Sequence, residues 1–473
     1  MKNNLAKFSE FANSLYPHEV EYLLSIQNFS TQVNLQILKH IQYNIKNSEH
    51  AKPFESEIDK RKYSYLKNWI ETKLSEIDVD HYYDWLIGIE KKIMTDSIMP
   101  EEERDLLQRT KTSKNTHYYF IRFYELLQYY RDYLLIRVRN KYHAPVSEYL
   151  RNNEAHYNYV TDLNTRLNAA AVDIVMQHDQ SEIQSRQWEE FLLNTFFDST
   201  IDGYTRYRAL VRLTFLYYNY REFDKLKTVY NKLDDYFKCD IFYSKRILSN
   251  YYANRGMMHS KLNELTEAER YGYLSIRQKN SDYLFYLISL CGVLLKRKKQ
   301  KEALEIMTAS MPEIKKTESF YNKIGFVAFY IRTLVANNLV SKAVSYAETY
   351  LEAYKKEIMM HRWHLFFSAY FQALTKAEKY EKVLSLSHRY KLVSKEKQFM
   401  AEAKYLPILY WYSTVAEYME GSFSDEKMEQ TIIKSGNLLI KNDYKISKIK
   451  ELLAELTPIL PANFERICKG LEM

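Results

Sequence analysis

Glycine, proline and cysteine are all scarce in this sequence. Its 473 residues include nine glycines, eight prolines and three cysteines. Because glycine and proline supply most tight turns of β-sheet and α/β folds, their scarcity disfavours sheet-rich architectures. The cysteines Cys239, Cys291 and Cys468 stand alone, so they indicate neither a disulfide framework nor a CxxC metal or redox motif, and a reducing cytoplasm fits. These absences predict an all-α cytoplasmic protein.

Long apolar runs and catalytic motifs are also missing. The longest apolar run, Tyr283 to Leu295, is too short to span a bilayer, and the N-terminus has no apolar leader segment. No GxGxxG, GxxxxGK[ST], HExxH or GxSxG pattern can be written. We therefore expect no membrane association, no cofactor and no enzymatic activity.

Charge is unevenly distributed along the chain. Residues 1–200 carry 24 Lys and Arg against 29 Asp and Glu, a net charge of −5, whereas residues 201–473 carry 44 against 31, a net charge of +13. A basic C-terminal half favours acidic partners by long-range attraction, although its charge density is modest for a nucleic-acid-binding protein. Tyrosine, with 44 residues, falls mostly at helical packing positions and is expected in the core.

The N-terminal half reads as a series of helices without an evident repeat. Helices are predicted at 17–28, 32–47, 56–76, 80–95, 100–109, 115–141, 155–178 and 182–198. Pro17 and Pro100 each precede glutamates, which is typical of a first helical turn. The polar stretches 111–116 and 140–153 are the candidate boundaries, and the second is favoured.

A repeat begins near residue 204. Five segments each pair two amphipathic helices through a short polar turn: 210–233, 252–272, 287–307, 327–347 and 367–387. Equivalent second-helix positions are Leu226, Ala268, Ala303, Ala343 and Val383, whose numbers differ successively by 42, 35, 40 and 40. A weaker sixth pair is expected at Ala403–Glu420 and Asp425–Ile440, with capping helices at 443–456 and 461–471.

This pattern resembles the tetratricopeptide repeat, in which large, small and aromatic residues recur across two helices. The period is longer than that family's usual period of about 34 residues. The first-helix glycine is kept only at Gly256. The resemblance implies an α-α superhelix in the C-terminal half. It gives four regions: an N-terminal helical domain (1–150), a connecting helix pair (151–203), tetratricopeptide-like repeats (204–442) and capping helices (443–473).

In such a superhelix the first helices line a concave groove that binds a peptide or protein partner. Transferring the groove positions gives a basic, amide-bearing and partly aromatic set of partner-binding candidates: Arg208, Arg212, Phe215, Tyr218, Asn250, Asn254, Met257, Phe285, Ser289, Arg332, Gln372 and Lys376. Asparagine and glutamine suit a peptide backbone, and arginine suits carboxylates. The arrangement departs from the family's dicarboxylate clamp, so specificity for a C-terminal carboxylate stays open.

Three local clusters could carry other chemistry. His361 and His364 have a spacing used by metal ligands, but no third ligand accompanies them. Asp78, Asp80, His81 and Asp84 could bind a divalent ion, although capping of a helix near His81 explains the first aspartates as well. The basic run 296–301 could contact a polyanion, but it falls at a turn within the third repeat, where a solvated loop is expected.

The sequence therefore predicts a cytoplasmic scaffold or adaptor that binds a peptide or protein partner of acidic character. One alternative is a regulator similar to the bacterial peptide sensors that join an N-terminal helical domain to such repeats. A second alternative is a helical repeat protein that binds nucleic acid or another polyanion, which the +13 half permits but does not favour.

Overall fold

The computed structural model describes residues 5–47, 50–176, 185–238, 241–400, 405–439 and 443–471. Within these ranges every regular element is a helix, which confirms the all-α prediction. Cys239, Ala403 and Ile440 lie outside the described residues. The chain divides into two compact units, Met1–Leu262 and Asn263–Met473.

The first unit contains twelve α-helices in its described residues. They are α1 (Ala6–Ser14), α2 (Pro17–Ile26), α3 (Gln32–Lys46), α4 (Lys60–Ile77), α5 (Val79–Met94), α6 (Pro100–Thr112), α7 (Phe120–Ile136), α8 (Asn140–Met176), α9 (Glu189–Phe197), α10 (Gly203–Tyr220), α11 (Phe223–Phe237) and α12 (Lys245–Lys261). A 3-10 turn, Ser185–Trp188, precedes α9.

The second unit contains fourteen α-helices in its described residues. They are α13 (Leu265–Ser275), α14 (Tyr283–Lys296), α15 (Gln300–Ala309), α16 (Met311–Lys316), α17 (Phe320–Ala336), α18 (Val340–Ala353), α19 (Lys355–His361), α20 (Trp363–Lys376), α21 (Tyr380–Tyr390), α22 (Leu392–Gln398), α23 (Ile408–Met419), α24 (Asp425–Asn437), α25 (Asp443–Leu456) and α26 (Pro461–Gly470).

The predicted helix starts at the two prolines are correct. Pro17 is the first residue of α2, and the backbone N–H of Tyr16 donates to the Glu19 carboxylate at 2.7 Å. Pro100 begins α6, where Glu102 accepts from the N–H of Met99 at 3.1 Å. A proline costs nothing at this position, and a glutamate three residues after the cap binds an N–H that has no helical partner.

The favoured boundary at 140–153 is wrong as a break in the helix, because these residues form the first part of α8. Pro145 lies inside this 37-residue helix. Val146 and Leu150 are buried, and the Leu150 carbonyl accepts from the Tyr124 hydroxyl of α7 at 3.1 Å. Packing against α7 therefore outweighs the local cost of proline and of the polar residues.

Left-handed turns mark the ends of the first helices. A residue with positive φ follows each of eight helices: Asp96 after α5, Val138 after α7, Arg221 after α10, Asn263 after α12, Lys298 after α14, Asn338 after α17, Glu378 after α20 and Gly421 after α23. From Arg221 to Glu378 they recur at the same four intervals as the predicted second-helix positions. Asp96 and Val138 in the N-terminal half have the same separation as Arg221 and Asn263.

The same backbone hydrogen bond recurs at most of these turns. After α10, the N–H of Glu222 donates to the Tyr217 carbonyl at 2.9 Å, and after α17 the N–H of Leu339 donates to the Leu334 carbonyl at 2.9 Å. A bond across five residues is the Schellman motif, which satisfies the last carbonyls of a helix. Helix termination here depends on backbone bonding, with glycine at only one of the eight turns.

In the second unit the helix pairs stack in sequence. The first helices α14, α17, α20 and α23 contact one another in that order. Each of α15, α18 and α21 packs on the first helix of its own pair and on that of the next pair. Together they bury one continuous apolar cluster that includes Leu287, Ile331, Tyr370 and Trp411.

Short additional helices account for the long period in the second unit. The helices α16, α19 and α22 each follow a second helix, within the three longer intervals that begin at Lys298. The shorter interval between Asn263 and Lys298 contains no such helix. These inserted helices explain why the intervals that begin at Lys298 are longer than the interval from Asn263 to Lys298.

The two closing helices were predicted at nearly the observed bounds, but they differ in position. Helix α26 packs on α24, where Gly436 allows Leu471 to approach closely and Glu429 accepts from Asn463 at 3.0 Å and from Arg466 at 2.9 Å. Helix α25 instead bonds to α23: its Glu455 carboxylate accepts a hydrogen bond from the Tyr412 hydroxyl of α23. In the described residues, no helix is both long and apolar enough to cross a membrane.

Candidate partner-binding faces

The two arginines predicted at the start of the groove lie on α10 and contact α8. Arg208 donates to the side-chain oxygens of Asn164 and Asn168. Arg212 donates from Nε to the Leu167 carbonyl at 2.6 Å and from Nη1 to the Arg208 carbonyl at 2.8 Å. We call Asn164, Asn168, Arg208 and Arg212 the α8–α10 arginine site. Its contact to α8 was not expected, since the sequence assigned 151–203 to a connecting helix pair.

Positive charge in the α8–α10 arginine site is not neutralised within the described part of the protein. Among the described residues, no carboxylate lies within salt-bridge distance of Arg208 or Arg212, and both side chains are partly exposed. Burial, followed by repulsion from Arg208, lowers the pKa of Arg212 to about 10. Phe215, one turn further along α10, is 57% exposed. An acidic group with a neighbouring apolar group would complement this surface.

The remaining candidates of the first unit meet between α10 and α12. The Tyr218 hydroxyl donates to the Asn254 carbonyl at 3.3 Å, and the Asn254 amide donates to the Asn250 carbonyl at 3.0 Å and to its side-chain oxygen at 2.9 Å. The Tyr207 hydroxyl reaches the same Asn250 oxygen at 3.5 Å. Met257 is half-buried further along α12. The structure thus brings Tyr218, Asn250 and Asn254 into one hydrogen-bonded group.

The candidates of the second unit lie on three successive first helices. Phe285 is 39% exposed on α14, and its carbonyl accepts from the Ser289 hydroxyl at 3.1 Å. Arg332 on α17 lies 5.8 Å from the ring of Phe329. On α20, Lys376 is exposed, and the side-chain oxygen of Gln372 is buried without a hydrogen-bond partner among the described residues. These side chains do not contact one another as the Tyr218 group does.

A cavity of about 460 Å³ lies in the first unit between α8 and α9. Its lining includes Arg166, Phe191, Glu190 and Asp198, and the Arg166 guanidinium lies 4.1 Å from the Phe191 ring. The sequence singled out none of these residues. Arg166 is on the same helix as the amides of the α8–α10 arginine site, so α8 carries polar groups toward two neighbouring surfaces.

The histidine pair and the aspartate cluster have structural roles. Glu396 of α22 accepts from His364 at 2.6 Å and from the backbone N–H groups of Leu409 and Tyr410 at 2.9 and 2.8 Å, so it caps α23. Asp78 accepts from the N–H groups of Asp80 and His81, as predicted for a helix cap. In the described part of the chain, no three His, Cys, Asp or Glu side chains form a group that could hold a metal ion.

The aspartate cluster and the basic run both form ion pairs. Arg246 donates to both oxygens of Asp80, at 3.0 and 2.6 Å. In the basic run, Arg297 and Lys299 both pair with Glu269, at 2.6 and 2.5 Å. Neutralisation by Glu269 leaves less charge at this turn than the sequence suggested for a polyanion contact.

A partly buried polar network joins the N-terminal helix α2 to α11 and α12, and the sequence did not reveal it. His18 bonds to the Tyr252 hydroxyl at 2.6 Å through Nδ1 and to the Asp234 carboxylate at 2.9 Å through Nε2. The same carboxylate accepts from Arg255 at 2.6 Å. We call His18, Asp234, Tyr252 and Arg255 the α2–α12 network. Partners that lie in opposite parts of this unit's sequence leave no local signal, which is why the network was missed.

A second set of bonds closes the same junction. Tyr243 donates to the buried Glu19 carboxylate at 2.6 Å, and Tyr16 bonds to Ser249 at 2.8 Å. Burial, with the nearby Glu19, raises the pKa of Tyr243 far above its ordinary value. Hydrogen bonds that involve Tyr16, His18 and Glu19 therefore fix the beginning of α2 to residues of α11, of α12 and of the segment between them.

No protein-family model, curated protein or solved structure matches this chain.

Proposed function

We propose that this chain is a cytoplasmic scaffold in which tetratricopeptide-like helix pairs stack into superhelical segments and bind an acidic peptide or protein segment on their first helices. The observation that carries the proposal is the α8–α10 arginine site. It offers two neighbouring guanidinium groups that have no carboxylate partner among the described residues. Their use as a partner site is the function that the geometry supports best.

Preorganisation supports this role. The amide oxygens of Asn164 and Asn168 hold Arg208, and the Leu167 carbonyl holds Arg212, while each guanidinium keeps further N–H donors. Holding long side chains in place before binding reduces the entropy lost on association. A carboxylate there would accept charge-assisted hydrogen bonds, each worth about 1.5–3 kcal/mol.

The adjoining surface favours an extended segment over an isolated anion. Phe215 supplies exposed apolar area one turn from Arg212, Tyr218 of the same helix supplies a hydroxyl, and Asn250 and Asn254 supply amides on α12. Asparagine side chains on a first helix can bond to the backbone of a bound peptide. The preferred ligand is therefore an acidic segment with an apolar neighbour.

The test is comparative affinity purification of the full chain. Partners retained by the wild-type protein are identified by mass spectrometry, and their retention is measured for the double variant Arg208→Gln/Arg212→Gln. Glutamine keeps a polar side chain at both positions but removes the charge. We expect at least tenfold weaker retention of the same partners, with a melting temperature close to that of the wild type.

The matched control is Arg61→Gln/Arg151→Gln. Both arginines are exposed in the first unit and form no salt bridge among the described residues, so this variant removes the same charge away from the site. Retention should stay unchanged in the control. Equal losses in both double variants would indicate a general charge effect, and no loss in either would exclude this site.

A peptide-sensing regulator is the second candidate function, and the α2–α12 network favours it. The network fixes an N-terminal helix to α12, the helix that also carries Asn250 and Asn254. A ligand that shifts α12 would therefore act on the junction. A sensor should speed hydrogen exchange of α2 when an acidic peptide binds, whereas a scaffold should leave that exchange unchanged.

A further inference from the structure

The closing helix α25 covers part of the first-helix row of the second unit. Its buried residues repeat at positions i, i+3, i+4 and i+7: Ile449, Leu452, Leu453 and Leu456. All four belong to the same apolar cluster as buried residues of α14, α17, α20 and α23. We call these four residues the α25 stripe. This stripe is the face by which an amphipathic helix binds a groove.

Polar contacts define where α25 lies. Tyr412 of α23 is 1% exposed, and its hydroxyl donates to the Glu455 carboxylate. Burial and Glu455 raise the pKa of the Tyr412 hydroxyl. The positive charge of Arg332 on α17 lowers it. Arg332 was predicted from sequence as a partner contact. A carboxylate of the chain's own C-terminal segment thus lies where an acidic partner residue was expected.

The other end of α25 approaches α14. Desolvation lowers the pKa of Lys296 at the end of α14, Lys448 adds to this lowering, and Glu451 opposes it. Both α25 residues therefore lie near the α14 terminus. Helix α25 is bonded to α23 through Glu455, and its stripe belongs to the apolar cluster that α14, α17 and α20 share.

Among the described residues, α25 and α26 are attached in different ways. Helix α26 bonds to Glu429 of α24 through two side chains and packs against a glycine. Helix α25 leaves Lys450, Glu451 and Ala454 exposed, and its backbone packs most closely on α26. Its described contacts with the row include the apolar stripe and the bond to Glu455, both of which a helix of the same pattern can reproduce.

We propose that α25 is a built-in, displaceable occupant of the first-helix row of the second unit, and that this row binds an amphipathic helix of a partner protein. The partner helix carries apolar residues at i, i+3, i+4 and i+7 and an Asp or Glu at i+6. The acid is required because removal of Glu455 would leave the buried Tyr412 hydroxyl without its acceptor. This surface is separate from the α8–α10 arginine site, and either site can fail without the other.

The test uses a fluorescein-labelled peptide with the sequence of residues 443–457 and the full-length protein, with binding measured by fluorescence anisotropy. In the wild type α25 occupies the row in most molecules. The peptide binds only the small fraction with a free row, so its apparent affinity is reduced in proportion to that fraction. Leu453→Asp places a charge in the stripe and should release α25. We expect this variant to bind the peptide at least tenfold more tightly than the wild type does.

Ala454→Asp is the matched control, because it introduces the same side chain at the adjacent, exposed position of α25. It should bind as the wild type does. A peptide with Glu455→Gln should bind Leu453→Asp protein at least threefold more weakly than the unchanged peptide. Arg208→Gln/Arg212→Gln protein should give wild-type peptide binding, which separates this result from a failure of the proposed scaffold function.

A folded Leu453→Asp protein that binds no peptide, or binds it no more tightly than the wild type, would overturn the proposal. Should Leu453→Asp unfold, Glu455→Gln in the full-length protein is the second variant, because it preserves the volume of the side chain. It should increase peptide affinity about threefold or more, and an affinity equal to that of the wild type would overturn the proposal as well.

Discussion

The two units cover their helices with terminal segments in different ways. In the first unit, α2 is attached through hydrogen bonds and ion pairs, including the buried Glu19 and Arg255. In the second unit, α25 is attached mainly through the apolar α25 stripe. Polar attachments require matching partners in fixed geometry, whereas apolar attachments accept any helix with the right pattern. The first arrangement suits a fixed junction and the second suits exchange of occupants.

The units also differ in their buried charges. Among Asp, Glu, Lys and Arg, the described part of the first unit buries five residues: Glu19, Glu103, Asp202, Arg206 and Arg255. The described part of the second unit buries only two, Glu396 and Lys445. Buried ions are costly when a partner is removed. The first unit should therefore respond more strongly to single polar substitutions and to pH.

Removal of Asp234 should have the largest effect. The Asp234 carboxylate bonds to His18, Tyr251 and Arg255. Asp234→Ala removes all three bonds, including the ion pair with the buried Arg255. We expect a loss of about 3–5 kcal/mol in the free energy of unfolding, measured by urea denaturation. Hydrogen exchange of α2 and α12 should accelerate, while that of α17 should not.

The adjacent Asp235 provides the control for this comparison. Asp235 is exposed and pairs with Lys238 at 3.2 Å on the surface. Asp235→Ala should cost less than about 1 kcal/mol, as exposed pairs do. Equal effects of the two substitutions would remove the distinction between a polar junction and ordinary surface charge.

The pH dependence of Asp234 has a defined sign. Burial by itself raises the pKa of this carboxyl, but bonds from His18 and Tyr251 and the charge of Arg255 outweigh burial and hold the pKa below its ordinary value. Stability from a lowered carboxyl pKa is present above the unfolded value and is lost as pH falls through the folded value. The α2 junction should therefore open in acid before the α25 stripe does.

Asp202→Asn should give the next largest effect, with the opposite sign. Burial raises the pKa of Asp202 to about 6 from 3.8, so the ionised carboxylate destabilises the fold at neutral pH. The contribution of this group is most favourable below about 3.8 and is lost as pH rises through about 6. Asparagine still accepts from the Thr205 N–H, so the variant should be more stable at pH 7.

The difference between the folded and the ordinary pKa of Asp202 corresponds to roughly 3 kcal/mol at most. Thermal melts of the wild type and of Asp202→Asn at pH 4 and pH 7 would measure the gain. The stabilisation should appear at pH 7 and vanish at pH 4. A constant difference at both pH values would contradict the raised pKa.

Glu396→Gln in the second unit should have the smallest effect. Glutamine has a single acceptor oxygen, so it cannot bind His364 and both capped N–H groups of α23 at once. We expect a loss of about 1–2 kcal/mol, typical of a helix cap, with faster hydrogen exchange confined to α23. The exposed Glu352→Gln serves as its control, and equal losses would show that the cap is unimportant.

Sequence reasoning predicted most helices but fewer of their neighbours. Proline with glutamate at Pro17 and Pro100 predicted helix starts correctly, because capping is local chemistry. The stretch 140–153 was misjudged because burial of Val146 and Leu150 against α7 outweighs its polar composition. Composition within one segment carries no information about the surface that the segment will meet.

The candidate site was predicted less completely than the helices. Helical periodicity placed Arg208, Arg212 and Arg332 on first helices, and that placement is correct. Periodicity could not reveal that residues of α8 bond to Arg208 and Arg212. Nor could it reveal that Arg332 and Glu455 both interact with Tyr412. These partners come from distant segments that carry no matching signal.

By itself, the sequence determined that the chain is helical, where most helices begin and at what interval the pairs from residue 204 recur, because these properties depend on nearby residues. Tertiary structure decided that short helices such as α16 lengthen the period, that α2 bonds to α12, and that α25 covers the first-helix row. The physical reason is that long-range contacts depend on complementary surfaces, which exist only after the helices have packed. The proposed partner surfaces of this protein are of that second kind.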